Sequence, residues 1–362
     1  MKYSLPSYWP LLTLICIAFS SFLYGQWVTK GNPISFISAI GTSITHWDTL
    51  HYLTIAEKGY TTPFQLAFPP GYPWVVRALS HITGNYLISG ILLSLGSLIF
   101  YVYATKKLSS LYLSEKASQG ALSLHLLFPS AYFLLIPYSE SLFLSLSTLA
   151  FLAFSERKWG MMGLWSGLAT LTRSVGVLLL PTLLIGILFN QGLRAAWFKK
   201  GASLLLIPFA VGIHWMFVYR STGSWLGVFT IHKELGNRGL VFPLSSLVTN
   251  IQMIPHLAIS EYTVQVVYAE TIAVLFMLIL TVISFFVLPR LFAFYNLLYL
   301  LLISSSSFLI SNPRLLLGAF PIFWALSVIT QDHPILYRTV LCVFSLLLAI
   351  EFATFSRGHW AF

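Results

Sequence analysis

Asp48, His51 and Tyr52 fall at i, i+3 and i+4 in the run WDTLHYLTIAEK, so a helix there turns a carboxylate, an imidazole and a phenol to one side. A carboxylate beside an imidazole is the pairing that proton transfer uses. Leu50, Leu53 and Ile55 would face bilayer or core, and Gly59 is a suitable stop. The run PFQLAFPPGYP follows, and Pro69, Pro70 and Pro73 impose a fixed, non-helical path. A rigid loop is a good support for a site. The same residues also suit an interfacial helix whose aromatics lie in the headgroup belt and whose charges face water, and the spacing alone leaves both readings open.

Three further charges stand where charge is costly. Glu140, in the run YSES after Pro137, opens an apolar stretch, where a carboxylate also complements a helix N-terminus. Arg173, in LATLTRSVGVLLLP, lies amid apolar sequence, where an unpaired charge costs about 2.5 kcal/mol or more. Glu140 is a suitable partner for it. Arg314, in SNPRLLLGAFP, follows the break made by Asn312 and Pro313. Guanidinium groups at such breaks suit phosphate, because they stay charged and bind oxygens bidentately. The nine His are scattered without a metal-ligand spacing, and His232 with Glu234 reads as a solvated pair, so no metal is expected. The sequence contains neither a phosphate-binding P-loop nor a serine-nucleophile elbow, and no cofactor is expected.

The elements that must hold these residues are membrane helices. Of 362 residues 57% are hydrophobic and 8% charged, against about a quarter charged in a soluble domain. Apolar runs at roughly 11–24, 86–105, 117–137, 139–155, 160–172, 174–190, 201–219, 268–289, 291–310, 314–331 and 335–355 imply an all-α polytopic membrane protein of about 11 spans. The two runs flanking Arg173 are too short to cross straight and read either as half-membrane helices or as one long broken helix. The first run, after Lys2, lacks a small-x-small cleavage site and reads as an uncleaved helix. The chain is expected to form one domain, 1–362, with long polar loops at 28–85 and 220–268, the first carrying short juxtamembrane helices. With the N-terminus cytoplasmic, Lys106, Lys107, Lys116, Arg157, Lys158, Arg194, Lys199, Lys200, Arg290 and Arg338 all fall in short inner loops. Both long loops, Arg173 and Arg314 then share the outer face. The net charge of +10 is thus a topology signal; there is no basic run or nucleic-acid motif, and nucleic acid is not an expected partner.

HWDTLHYLTIAEKGY followed by AFPPGYPWVVRAL resembles the first-loop signature of the PIG-V family, the second mannosyltransferase of GPI-anchor assembly, and its bacterial relatives. YSESLF at 138–143 and LATLTRSVGVLLLP are similar to that family's next motifs, and SNPRLLLGAFPIFWAL and SRGHWAF to its C-terminal region. The resemblance implies a GT-C type bundle with its catalytic acid in the first extracytoplasmic loop. It also implies a sugar donor carried on polyprenyl or dolichyl phosphate, and transfer with inversion to a lipid or glycan acceptor. Thr49 after Asp48 matches the single acid of this family, whereas Pro69 stands where a second Phe is usual. On this reading Asp48 is the general base, His51 and Glu140 support it, Arg173 and Arg314 hold the donor phosphate, and Tyr52, Tyr60, Tyr72 and Tyr138 contact substrate. The membrane would be a bacterial plasma membrane, or the endoplasmic reticulum in a eukaryote.

Two other classes fit such helices. A transporter or lipid flippase would concentrate polar residues near the midplane of broken helices. A scaffold subunit would tolerate loss of Asp48.

Overall fold

The computed structural model of the protein describes residues 9–30, 41–191, 200–227, 229–231 and 239–361. Regular structure among them is helical, and an isolated antiparallel bridge joins Leu240 to Ser306. In chain order the α-helices are α1 (Trp9–Lys30), α2 (Asp48–Lys58), α3 (Gly71–Thr83), α4 (Tyr86–Ser109), α5 (Glu115–Leu126), α6 (Glu140–Ser155), α7 (Trp159–Thr172) and α8 (Leu179–Gln191). They continue with α9 (Leu206–Thr222), α10 (Ser245–Met253), α11 (Ala269–Val287), α12 (Arg290–Ile303), α13 (Asn312–Leu315), α14 (Pro321–Thr330) and α15 (Pro334–Ser356).

Four described segments are long and apolar enough to cross a bilayer: Tyr86–Ser109, Ala202–Thr222, Thr263–Val287 and Pro334–Ser356. Asn312–Gly318 and Pro321–Thr330 are long and apolar enough only as a pair, and they are bent by 87°, the geometry of a broken span or a re-entrant loop. The outer surface is apolar, with Phe286 83% and Phe100 64% exposed, an exterior that suits lipid and not water. The chain is a multi-pass membrane protein. Polar groups inside the bundle are satisfied locally: the hydroxyls of Ser166, Thr170, Thr182 and Ser284 each donate to the carbonyl four residues back. Helix α6 is central, packed between α4 and α7, while α1 lies along α15 and α5 along α14.

One expectation about the helices needs adjusting. The run 117–137 is not one helix: α5 stops at Leu126, and a 3-10 turn over Ala131–Leu134 follows. Pro129 and Pro137 cannot donate to a helical ladder, and the chain between them folds into turns. The break at Arg173 does occur: α7 ends at Thr172, Arg173 is extended (φ −146°, ψ 136°), and a 3-10 turn over Ser174–Leu178 leads into α8. His232 and Glu234 lie outside the described residues.

The bundle has two chemically distinct ends. Helix α6 begins at Glu140 and, about 24 Å further on at 1.5 Å per residue, ends beside Glu156, which bonds Lys107 and Lys158. Helix α7 returns from Trp159 to Arg173. The paired lysines and the isolated arginines therefore lie at opposite ends, as the charge pattern predicts.

Candidate active site

Asp48 owes its position to the backbone on either side of it. Trp47, just before α2, has φ 52°, a left-handed conformation that few large residues adopt. The chain thereby turns sharply into α2, and Asp48 becomes its first residue, where the helix dipole favours a carboxylate. Ser311, before α13, is also left-handed (φ 63°), and Arg314 follows within one turn. Helix α13 is held at its start by buried Glu270 of α11, whose Oε2 accepts from the Asn312 backbone and side-chain amides, both at 2.8 Å. Ser130 Oγ donates to the Pro313 carbonyl at 2.8 Å.

Arg173 is placed by close backbone packing. A Cβ on Gly176 would meet Thr170 N at 2.6 Å, so the chain after Arg173 folds back onto the last turn of α7 as only glycine permits. A Cβ on Gly71 would meet the Leu171 carbonyl oxygen at 2.6 Å. The glycine of the PPGYP run thus brings α3 against the end of α7, locking the first loop to the arginine-bearing break.

The four charges converge. Arg314 Nη1 donates to Asp48 Oδ2 at 2.5 Å, Arg314 Nε donates to Glu140 Oε1, and Arg173 Nη1 donates to the same Glu140 oxygen. Arg173 Nη1 also reaches Ser139 Oγ at 3.3 Å, and that hydroxyl lies 2.7 Å from the Tyr52 hydroxyl. The Arg314 guanidinium carbon stands 4.5 Å from the Tyr138 ring centre and 5.0 Å from that of Phe133, over their faces. Two arginines and two carboxylates cancel in charge, which is what allows them to be buried. The Glu140 side chain is 3% exposed and Asp48 24%, so Asp48 is the more accessible acid. Glu140 Oε2 is buried and has no hydrogen-bond partner among the described residues.

Asp48, Arg173 and Arg314 line a cavity of about 440 Å³ together with Trp47, His51, Tyr52, Phe64, Phe68, Tyr138, Ser311 and Trp360. Glu140 lies beneath it. His51 stacks on Phe68 and against Phe64, with ring centres 5.5 and 4.6 Å apart, and no hydrogen bond joins it to Asp48 among the described residues. Burial of that imidazole lowers its pKa from the usual value, and the charge of Asp48 opposes the shift. Burial, reinforced by the Glu140 charge, raises the Tyr52 phenol to about 12, so it stays protonated as a donor.

The expected substrate contacts divide. Tyr52 and Tyr138 are at the cavity wall. Tyr72 is fully buried, its hydroxyl 3.1 Å from both the Gly90 carbonyl and Ser94 Oγ, and Tyr60 bonds the Phe68 carbonyl at 2.7 Å. Both brace the loop and stand away from the cavity. An aromatic among apolar neighbours carries no sequence mark of which way it faces. Sequence reasoning missed Ser139, Glu270 and Ser311, and gave Trp360 no role. Ser139 and Ser311 lie directly beside motif residues, whereas Glu270 is the one acid in the span 268–289 and could have been singled out by its cost there.

The family resemblance read from the motifs stands. Residues 34–200 match the family described as Mannosyltransferase (PIG-V), a segment that contains Asp48, Glu140 and Arg173. GPI mannosyltransferase 2 of Schizosaccharomyces pombe is 27% identical over 136 residues, 36% of this chain and 29% of that protein. GPI alpha-1,6-mannosyltransferase 2 of Homo sapiens is 30% identical over 198 residues, 47% and 38% of the two chains. The Mus musculus protein of that name is 32% identical over 173 residues, 43% and 34%. The matches thus span about a third of these relatives' length. Among solved structures, the Archaeoglobus fulgidus oligosaccharyltransferase is similar over 95% of this chain and 53% of its own, at 11% identity and a TM-score of 0.49.

Proposed function

We propose that this chain, whose residues 34–200 match the PIG-V mannosyltransferase family, is an integral-membrane GT-C type glycosyltransferase. It moves a sugar, mannose by the family match, from a polyprenyl- or dolichyl-phosphate donor to a lipid or glycan acceptor on the extracytoplasmic face, inverting at the anomeric carbon. In this reading the chain is a single domain whose roughly 11 apolar runs form its membrane-embedded helices, whole or broken, with 28–85 and 220–268 as outer loops.

The observation that carries the proposal is the cluster of Asp48, Glu140, Arg173 and Arg314 at the wall and floor of a cavity at one end of the bundle. Transfer from a lipid phosphate needs a base for the attacking hydroxyl and positive charge for the departing phosphate, and both are here within one side chain's reach. The acceptor oxygen bonds to the anomeric carbon as the bond from that carbon to the phosphate oxygen breaks. The hydroxyl proton goes to Asp48, and the phosphate leaves with the electron pair of the broken bond. One carboxylate suffices, because no covalent sugar–enzyme intermediate forms.

The resting geometry assigns different work to the two arginines. Arg314 bridges Asp48 and Glu140, whereas among the described carboxylates Arg173 bonds only Glu140. A donor phosphate that attracts Arg314 weakens its hold on Asp48 and leaves the carboxylate free to meet the acceptor hydroxyl as the donor binds. Glu140 keeps both guanidinium groups in place throughout. A transporter is disfavoured because this cluster lies at a bundle end and not at the midplane.

The test is to incubate the protein in lipid nanodiscs with radiolabelled polyprenyl-phosphate sugars. Release of polyprenyl phosphate, with the sugar on an acceptor or on water, is expected, with the mannosyl donor best. Failure to consume any such donor, or consumption retained in Asp48→Asn, would overturn the reading.

A further inference from the structure

Arg314 is carried by an element that cannot place it unaided. Helix α13 is four residues long, and a single turn is unstable alone because ordering its backbone outweighs the hydrogen bonds it gains. Left-handed Ser311 precedes it, Pro313 within it has no N–H to donate, and the chain bends by 87° into α14. Yet Arg314 reaches Asp48 Oδ2 at 2.5 Å and also bonds Glu140, a placement that tolerates little drift.

We infer that Glu270 is a positioning residue for Arg314: it fixes the turn at Asn312 and thereby sets where the guanidinium meets the donor phosphate. The consequence for transfer rests on the glycosyltransferase reading, whereas the anchoring does not.

Glu270 is the second residue of α11 and is fully buried, and an acid inside a membrane span is costly enough to mark a function. Among the described residues it does not line the Asp48 cavity, so its route to the chemistry is through Arg314. Its Oε2 accepts from the backbone and the side-chain amide of Asn312, both at 2.8 Å, two residues before the arginine. One carboxyl oxygen has lone pairs for both, and the two bonds together fix the main chain and the side chain of Asn312. The rest of the segment is held by its carbonyls. Ser130 Oγ donates to the Pro313 carbonyl at 2.8 Å, and the Tyr295 hydroxyl donates to the Gly318 carbonyl at 3.0 Å. A Cβ on Gly318 would overlap the Tyr299 hydroxyl, so the chain beyond the turn lies close against α12.

Loss of the Glu270 oxygens leaves two buried N–H groups of Asn312 to find partners elsewhere, and the turn moves with them. A shift of about 1 Å in a group that acts on the reacting bond costs on the order of 100-fold in rate.

The experiment uses the full chain in nanodiscs, with three readouts: consumption of radiolabelled polyprenyl-phosphate mannose, affinity for polyprenyl phosphate, and amide hydrogen exchange over residues 311–320. Glu270→Ala should lower donor consumption by about 100-fold, weaken phosphate binding at least tenfold and speed exchange. Glu270→Gln keeps an amide oxygen that can accept both Asn312 N–H groups, and should stay within about fivefold of wild type in every readout. Asn312→Ala removes one of the two bonds; it should give an intermediate loss, and it carries the test should Glu270→Ala fail to fold. Asn296→Ala is the control for general damage. Its buried amide donates to Ser284 Oγ at 2.9 Å, about 21 Å along α11 from Glu270 at 1.5 Å per residue, so melting should fall while phosphate affinity holds within twofold. Glu270→Gln as impaired as Glu270→Ala would show that the acid acts by its own charge or proton and would overturn the positioning role. Phosphate affinity and exchange unchanged in Glu270→Ala, or an equal loss in Asn296→Ala, would overturn it too. A wild type that consumes no donor removes the transferase reading, and exchange over 311–320 then decides the anchoring alone.

Discussion

Replacing Asp48 by Asn separates the two jobs that the carboxylate does in this structure. The change removes a proton acceptor, and a positioned general base contributes on the order of 10²- to 10⁴-fold in rate. It also removes the negative charge 2.5 Å from Arg314 Nη1. For unit charges about 4 Å apart in an effective dielectric of about 20 the interaction is about 4 kcal/mol. The Asp48 side chain is 24% exposed, and solvent screens part of this. If about a third survives as bias on the guanidinium, freeing Arg314 strengthens phosphate binding by about 1.4 kcal/mol, or tenfold. The expected signature is therefore opposed: sugar transfer falls at least 100-fold while polyprenyl phosphate binds about tenfold more tightly. Transfer is followed with radiolabelled donor, and product affinity by thermal shift against polyprenyl phosphate in nanodiscs. Because Arg314 retains Glu140, Asp48→Asn should still insert and purify as a single species. Rate loss with equally weakened phosphate binding would show that Asp48 only shapes the pocket, and the proposed competition for Arg314 would be refuted.

Glu140→Gln removes the carboxylate shared by two buried arginines; breaking a buried pair costs about 3–5 kcal/mol, read as a lower melting temperature together with lost activity. Glu156→Gln, at the opposite end with Lys107 46% and Lys158 62% exposed, should change melting little, since solvent and salt screen exposed pairs. Gly71→Ala places a methyl 2.6 Å from the Leu171 carbonyl oxygen and should destabilise by about 1–3 kcal/mol, with activity falling as α3 moves off α7; unchanged melting would contradict the packing. Because the folded His51 pKa lies below its usual 6.5, unfolded chains protonate first as pH falls. The stability is thus fully present above 6.5 and declines between 6.5 and the lowered folded value. His51→Phe should flatten that part of a melting-temperature profile.

Residues that carry an energetic cost stand out in the sequence. Arg173 and Arg314 stand out because a lone charge in apolar sequence needs a reason, and the breaks beside them are written in Gly176 and in Asn312 with Pro313. The pairing of Glu140 with Arg173 was legible on the same ground, since both lie at ends of neighbouring apolar runs. The bond from Arg314 to Asp48 was not. It joins residues 266 apart, and either arginine would have satisfied either acid on charge alone. What decides the pairing is backbone geometry that side-chain patterns do not encode: left-handed turns at Trp47 and Ser311, and the anchoring of Asn312 by Glu270. The aromatic residues are hard to sort for a related reason. In a soluble helix, apolar periodicity marks the buried face. Here lipid and core are both apolar, so Tyr72 in the core and Tyr138 on the cavity wall look alike from sequence. Membrane sequences therefore expose their charged chemistry well and their aromatic chemistry poorly. Trp360 belongs to the second kind: its place at the wall of the Asp48 cavity, edge-on to Trp47, follows from tertiary contacts alone.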